Sequence, residues 1–258
     1  MRCLRGSPLA KNHWTRELEL EVQRHLRDES SGHDPYHAFR VRDLAVLIAA
    51  ATGADADVVE AAALLHDIGH GTDRNDHAKR GATLAADMLS KCGFPKTKIN
   101  AVVTCIEHHH WKPGRAGDPE QPTAEYQAFA DADRLDALGA IGIARTFAFG
   151  GAHGRPIWNP EPGTPSQTPY GTSSIHHFYD KLLQLPNDMY TEPGRRLAAR
   201  RVGFVEQFLR VFYLEWEARD FDPADFAVQD SFLIERPLEG SDKGPQSLPS
   251  DSRPYPST

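Results

Sequence analysis

The chain has 258 residues, 40% of them hydrophobic and 25% charged, enough apolar content for one large domain or two small ones. Its 29 basic and 36 acidic residues leave a net charge of −7, which argues against general nucleic-acid binding but not against a small anion held through a metal. The 3 cysteines form no CxxC pair, the longest apolar run (Leu44 to Ala51) is too short for a bilayer, and no apolar stretch follows the basic N-terminus. A cytoplasmic chain without a disulfide framework, a membrane span or a secretory signal is expected.

Residues 1–12 are polar, with Gly6 and Pro8, and read as a flexible arm. From Thr15 the spacing of Leu18, Val22 and Leu26 predicts a first amphipathic helix, ending at Ser30-Ser31-Gly32. Asp34 then reads as an N-cap with Pro35 at the first helical position, and Thr52-Gly53 as the stop. On that second helix His37 and Arg40 share a face, while Val41, Leu44, Ile48 and Ala51 repeat at core spacing. Asp55 or Asp57 caps a third helix, running through Val58, Val59, Ala62 and Leu65 into His66-Asp67, where Gly69 and Gly71 break it. Asp76 can cap a fourth, with Leu84, Met88 and Leu89 inward and Gly93 as its stop. Ile99, Val102, Val103 and Ile106 mark a fifth, which delivers Glu107 and His108 to His110.

Trp111 to Pro122 is rich in Pro, Gly and charge and reads as a loop. Thr123 caps a sixth helix through Tyr126, Phe129 and Ala130 into DADRLDALGAIG. Residues 150–173 hold few apolar positions, and such an excursion inside a compact domain suggests a mobile cover near a site. Ile175 to Leu185 reads as a short helix. Thr191 caps a long final one, with Leu197, Phe204, Val205, Phe208, Leu209, Phe212, Tyr213 and Trp216 at helical spacing. A domain over 13–236 is followed by a tail, 237–258, whose composition predicts disorder. No stretch alternates as a strand does and no internal repeat is present, so the expected class is all-α.

The chemistry concentrates around Ala61 to His70, AAALLHDIGH. Adjacent His66 and Asp67 project about 100° apart on a helix, so they converge on one ion only from near a helix end or beside other elements. Imidazole and carboxylate together suit a divalent cation such as Mn, Fe, Zn, Ni or Mg. His37, His66, Asp67 and Asp133, from three helices, would supply a mononuclear site with positions left for water and substrate. Asp131 competes with Asp133; the two are opposed on a helix, and Asp133 is preferred, with Asp131 and Asp136 placed to orient ligands or Arg134. His70 and His77 read better as proton-transfer or phosphate-facing groups, His77 lying just after an N-cap. For an anionic substrate Arg40, Lys79, Arg134, His108 and His109 are the candidate contacts.

The order His37, His66-Asp67, Asp133 resembles the HD-domain superfamily of metal-dependent phosphohydrolases. GHDPYHAFRV, EAAALLHDIGH, DHAKRGATLAADML, DADRLDALGAIGIARTF and KLLQLPNDMYTEPGR are similar to one bacterial branch, the YedJ/YpgQ-like phosphohydrolases, over roughly residues 15–220. The resemblance implies an all-α HD-domain helical bundle with a metal site among its central helices, and ligands at His37, His66, Asp67 and Asp133. It implies roles on the phosphate for His70 and His77, and only a partial match of His77, His108 and His109 to the second-metal histidines of dinuclear relatives. The expected activity is metal-dependent hydrolysis of a phosphoester or phosphoanhydride, above all of a nucleotide, such as a triphosphate cut to monophosphate and pyrophosphate. Manganese is the favoured ion and a small phosphorylated compound the partner, with no membrane; a homodimer is compatible with this reading. The rivals are a di-iron HD-fold oxygenase, which needs the second ion's ligands, and a non-catalytic metal- and nucleotide-sensing module.

Overall fold

The computed structural model describes residues 12–69, 77–160 and 172–220, with the side chains of residues 77 and 78 outside the description. The expected arm (but for Asn12), Asp76 as a cap, and the tail 237–258 therefore lie outside the described residues. The chain divides into two compact units, residues 1–213 and 214–258, and the first holds all the helices from α1 to α8 and most of α9.

Helices in chain order are α1 (His13–His25), α2 (Pro35–Thr52), α3 (Ala56–Leu65), α4 (His77–Lys91), α5 (Ile99–Glu107), α6 (Ala124–Asp136), α7 (Gly139–Ala152), α8 (Ser174–His177) and α9 (Glu192–Trp216). No strand occurs among the described residues, and no described helix is long and apolar enough to cross a membrane. Helix α2 packs on both α3 and α6, and α3 packs on α6, so these three form the centre; α5 and α1 lie against α3, and α4 against α5 and α1.

Local chemistry sets the ends that matter. The Asp34 carboxylate accepts from the His37 backbone N–H at 2.8 Å, Pro35 opens α2, and Gly53 closes it at φ 78. A cap of this kind contributes about 1 kcal/mol, and here it also fixes the first turn, where His37 sits. Asp55, not Asp57, caps α3, accepting from the Asp57 and Val58 N–H groups. Thr123 Oγ1 accepts from Tyr126 N–H and starts α6. The run Ala61 to Leu65 is wholly buried, so the second half of α3 is apolar all round and enters the centre of the unit before delivering His66 and Asp67.

Four expectations change. The sixth helix does not run through DADRLDALGAIG: it stops at Asp136, and Gly139, at φ 70, opens a separate helix, α7. A left-handed residue cannot continue a right-handed helix, and Gly adopts it without strain. Residues 150–152 therefore end α7 rather than begin a loop; Trp158 packs against His176 and Tyr213, and 161–171 lie outside the described residues, so the proposed cover is not tested. The segment Ile175 to Leu185 is composite: α8, then a π-helical turn Phe178–Leu182, then a tight turn Leu185–Asp188. Finally, Ala51 is exposed, and Leu84, Phe204 and Trp216 are 37%, 50% and 49% exposed, because they share their helices' apolar spacing but fall beyond the edge of the buried stripe.

Candidate metal centre

Three central helices aim polar side chains at one point. His37 comes from the first turn of α2 and Asp133 from the last turn of α6, while His66 and Asp67 follow α3, with His66 its C-cap. His37 Nε2 is 3.1 Å from His66 Nε2, 3.5 Å from Asp67 Oδ2 and 3.4 Å from Asp133 Oδ1. His66 Nε2 is 3.3 Å from Asp67 Oδ2 and 3.7 Å from Asp133 Oδ1. Donors held ~2.1 Å from one ion stand about 3.0 to 3.4 Å apart in octahedral or tetrahedral arrangements. Three of the five spacings fall in that range, and the other two, 3.5 and 3.7 Å, lie just above it.

The donor chemistry points the same way. His37 Nδ1 lies 2.7 Å from Asp136 Oδ2 and His66 Nδ1 2.9 Å from the Ala63 carbonyl, so each Nδ1 carries the proton and donates it outward. Each Nε2 then turns a lone pair inward, and two lone pairs 3.1 Å apart repel unless a cation or a proton lies between them. Asp67 Oδ2 is buried and has no hydrogen-bond partner among the described residues. A divalent cation fits this set. Burial disfavours a charged His66, yet Asp67 and Asp133 outweigh it and push the imidazole up to about 9. Burial likewise raises Asp67 and Asp133, but His66 and His37 respectively lead the opposing effects, and both carboxyls end well below their usual range. Without a metal the cluster thus favours a bound proton where a cation fits. Asp133, with 23% of its side chain exposed, marks the side open to solvent.

Asp136 forms the outer support. Besides His37 Nδ1 it accepts from Arg40 through Nε and Nη2, each at 2.9 Å, and from Arg145 Nη1 at 3.2 Å. Burial would raise its carboxyl; His37 and Arg40 hold it well below the ordinary range. Asp131 does something else: it accepts from the Tyr190 and Thr191 N–H groups and from Thr191 Oγ1, which fixes the chain entering α9.

The remaining expected residues divide. His109 is buried beside the cluster, its Nε2 3.6 Å from Asp67 Oδ1. Arg40 is at the edge, held by Asp136. His108 Nδ1 donates to the Gly117 carbonyl at 3.0 Å and so ties down the loop after α5. Arg134 is not presented to the cluster: 4% exposed, it binds both oxygens of Asp118 and the Asp188 carbonyl. Lys79 is exposed on α4, His70 lies outside the described residues, and His77 begins α4 with its side chain outside the description. The sequence reading missed Arg145 and His33, whose ring meets that of His37 edge-on at 5.9 Å. The first lies on the unforeseen α7 and the second precedes α2, so neither shares a helical repeat with a ligand.

An HD-domain family model matches residues 36–138. YpgQ of Bacillus subtilis is 39% identical over 194 residues, covering 75% of this chain and 89% of that protein. The crystal structure of B. subtilis YpgQ in complex with ADP superposes with a TM-score of 0.62 at 33% identity, covering 78% of this chain and 97% of that one. An HD-superfamily hydrolase from Bacillus thuringiensis gives a TM-score of 0.60 at 33% identity, covering 79% and 97%.

Proposed function

The chain belongs to the HD-domain superfamily, and from that premise we propose that it is a metal-dependent phosphohydrolase acting on a nucleotide, with His37, His66, Asp67 and Asp133 as the ligands of one divalent ion, manganese favoured. The observation that carries the reading is that the inward Nε2 atoms of His37 and His66 stand 3.1 Å apart, with Asp133 Oδ1 at 3.4 and 3.7 Å and Asp67 Oδ2 at 3.5 and 3.3 Å from them; ligand atoms of His37, His66 and Asp133 all lie within 4.8 Å of one another. The ADP bound by YpgQ supports a nucleotide rather than another phosphoester.

When bound, such an ion would supply Lewis acidity toward a phosphoryl oxygen and lower the pKa of a water. The chain's own residues do the rest. Asp136 and the Ala63 carbonyl fix the tautomers of His37 and His66, so the lone pairs stay aimed inward. Water adds to phosphorus, the bond to the leaving phosphate oxygen breaks, and a proton leaves the attacking water. His70 and His77 are the proposed proton carriers, and His109, beside Asp67, is a third candidate on position. The buried wall made by α3 and α6 excludes bulk water from the inner side.

A screen of phosphate and pyrophosphate release across nucleotides and metals tests the reading, with Asp67→Ala as the control. That variant should lose both metal and turnover while its helical circular dichroism stays near the parent's; full activity with added metal would refute the ligand assignment. His109 Nε2, 3.6 Å from Asp67 Oδ1, favours a second reading in which His109 would help hold a second ion, as the di-iron alternative requires. Metal content near one ion per chain rejects it. Tight nucleotide binding without turnover under any metal would favour a sensing module instead.

A further inference from the structure

The stretch between α5 and α6 reaches the metal cluster through His109. That ring is buried, with Nδ1 donating to the Ile106 carbonyl at 2.6 Å and Nε2 3.6 Å from Asp67 Oδ1. The residues after it are held more firmly than a surface connection requires. Trp111 Nε1 donates to Asp188 Oδ2 at 2.8 Å. Arg115 donates to the Asp188 and Met189 carbonyls at 3.2 and 2.8 Å, and its guanidinium lies 4.0 Å from the Tyr190 ring centroid. It keeps these contacts at φ 63, a left-handed conformation that is strained for a residue with a Cβ. Such strain persists where the surrounding contacts over-determine it, and it recurs near functional sites.

Asp118 closes the stretch. With 3% of its side chain exposed, it accepts from Arg134 Nη2 through both oxygens, from the Tyr190 hydroxyl, and from the Tyr126 hydroxyl at 2.8 Å. The buried Tyr126 hydroxyl also donates to the His108 carbonyl at 3.0 Å, so its one proton is shared between carboxylate and carbonyl. The His108 carbonyl belongs to the peptide that joins His108 to His109. Tyr126 stands on α6, the helix that carries Asp133. A connected path therefore runs from the Asp118 carboxylate through the Tyr126 hydroxyl to the backbone of His109. It ties the height of that ring to the same helix that supplies a ligand of the cluster.

We propose that Asp118 and Tyr126 are positioning residues, which hold the His108–His109 peptide against α6 and so fix His109 beside Asp67 for its part in the reaction. The inference rests on the phosphohydrolase reading. Its test compares manganese-loaded parent, Tyr126→Phe, His109→Ala and the double variant, with nucleotide hydrolysis, manganese per chain and melting temperature measured for each. Tyr126→Phe keeps the ring in the core and removes only the hydroxyl. Its kcat should fall about tenfold or more, with KM and manganese content near the parent's, because a misplacement of about 1 Å can cost about 10²-fold. His109→Ala should lower kcat at least as much, and adding Tyr126→Phe to it should cost nothing further, since residues acting as one unit are not additive. Equal losses in both backgrounds would reduce the network to general scaffolding and overturn the assignment, as would an unchanged kcat or a loss of metal. A second readout needs no turnover. The His109 ring resonances of the metal-free protein, assigned by their loss in His109→Ala, should shift or broaden in Tyr126→Phe and in Asp118→Asn. Unmoved resonances would overturn the inference whatever the enzyme hydrolyses. Should Tyr126→Phe fold poorly, Asp118→Asn takes its place in the cycle with the same expectations. If the parent hydrolyses no nucleotide, the phosphohydrolase reading fails and takes this inference with it; if the parent does and both variants match it, only the role of Asp118 and Tyr126 fails.

Discussion

Asp136 shows how much of a ligand's behaviour is decided by a residue that would not touch the ion. Its carboxylate holds His37 Nδ1 at 2.7 Å and is in turn pinned by Arg40 and Arg145. In Asp136→Asn the amide can still accept from one donor, but the charge that favours the Nδ1–H tautomer is gone and two guanidinium groups lose their counter-ion. Metal affinity should fall by about 10- to 100-fold, the usual effect of removing such a support. Titration of the metal-free variant with manganese measures it, and parent-like affinity would show that His37 needs no orienting. At this scale the sequence was informative where chemistry recurred at helical spacing: His37 and Arg40 on one face, Asp133 and Asp136 one turn apart. It was silent on Arg145, which reaches Asp136 through tertiary packing from an element whose position no local pattern encodes. Nor could it show that Arg134 pairs with Asp118, a partner 16 residues away that cannot be read from the neighbours of an arginine.

Among elements, the junction between α6 and α9 repays a closer look. The buried carboxylate of Asp131, in α6, replaces the missing partners of the backbone entering α9, accepting from two N–H groups and the Thr191 hydroxyl. Gly194 makes the approach feasible: a Cβ there would stand 2.2 Å from Asp131 Oδ2 and 2.9 Å from Thr191 Oγ1. Neither neighbour can withdraw, as each is buried and hydrogen-bonded to the other. Gly194→Ala should therefore destabilise the protein by about 1–3 kcal/mol even though Ala is the better helix former. Chemical denaturation tests it, and a neutral or stabilising result would mean that α9 shifts without cost. Helix starts were readable here because Asp34, Asp55 and Thr123 cap through their own side chains. The break before α7 was not, because Gly139 sits in a run whose apolar spacing continues smoothly across it.

Across the whole molecule, pH acts through groups that the fold keeps uncharged. Burial, helped by Lys181 and Arg155, pushes His177 down to about 3 from its ordinary 6.5. The unfolded chain therefore binds this proton more readily than the native one between those values. The stability that comes from a neutral His177 is complete above pH 6.5 and declines as pH falls toward 3. At pH 5 the loss should be on the order of 1 kcal/mol after allowance for partial exposure, and His177→Gln should show a correspondingly shallower fall in denaturation midpoint between pH 7 and 5. Parallel curves would disprove it. The all-α class was legible throughout because caps and apolar periods agree in most helices, whereas the composite 175–188 segment mixes three helical registers that no single period describes. The donors of the central cluster also have a consequence for the chain as a whole. His37 stands 29 residues from His66 and 99 from its support Asp136, so the unfolded chain cannot gather them. An ion that binds only the native fold adds about 1.4 kcal/mol of stability for every tenfold rise in its free concentration above Kd. The melting temperature should thus climb with the logarithm of free manganese and drop when a chelator is added, making thermal stability a gauge of metal supply that needs no substrate; a melting temperature indifferent to both would mean that no ion binds the native state selectively.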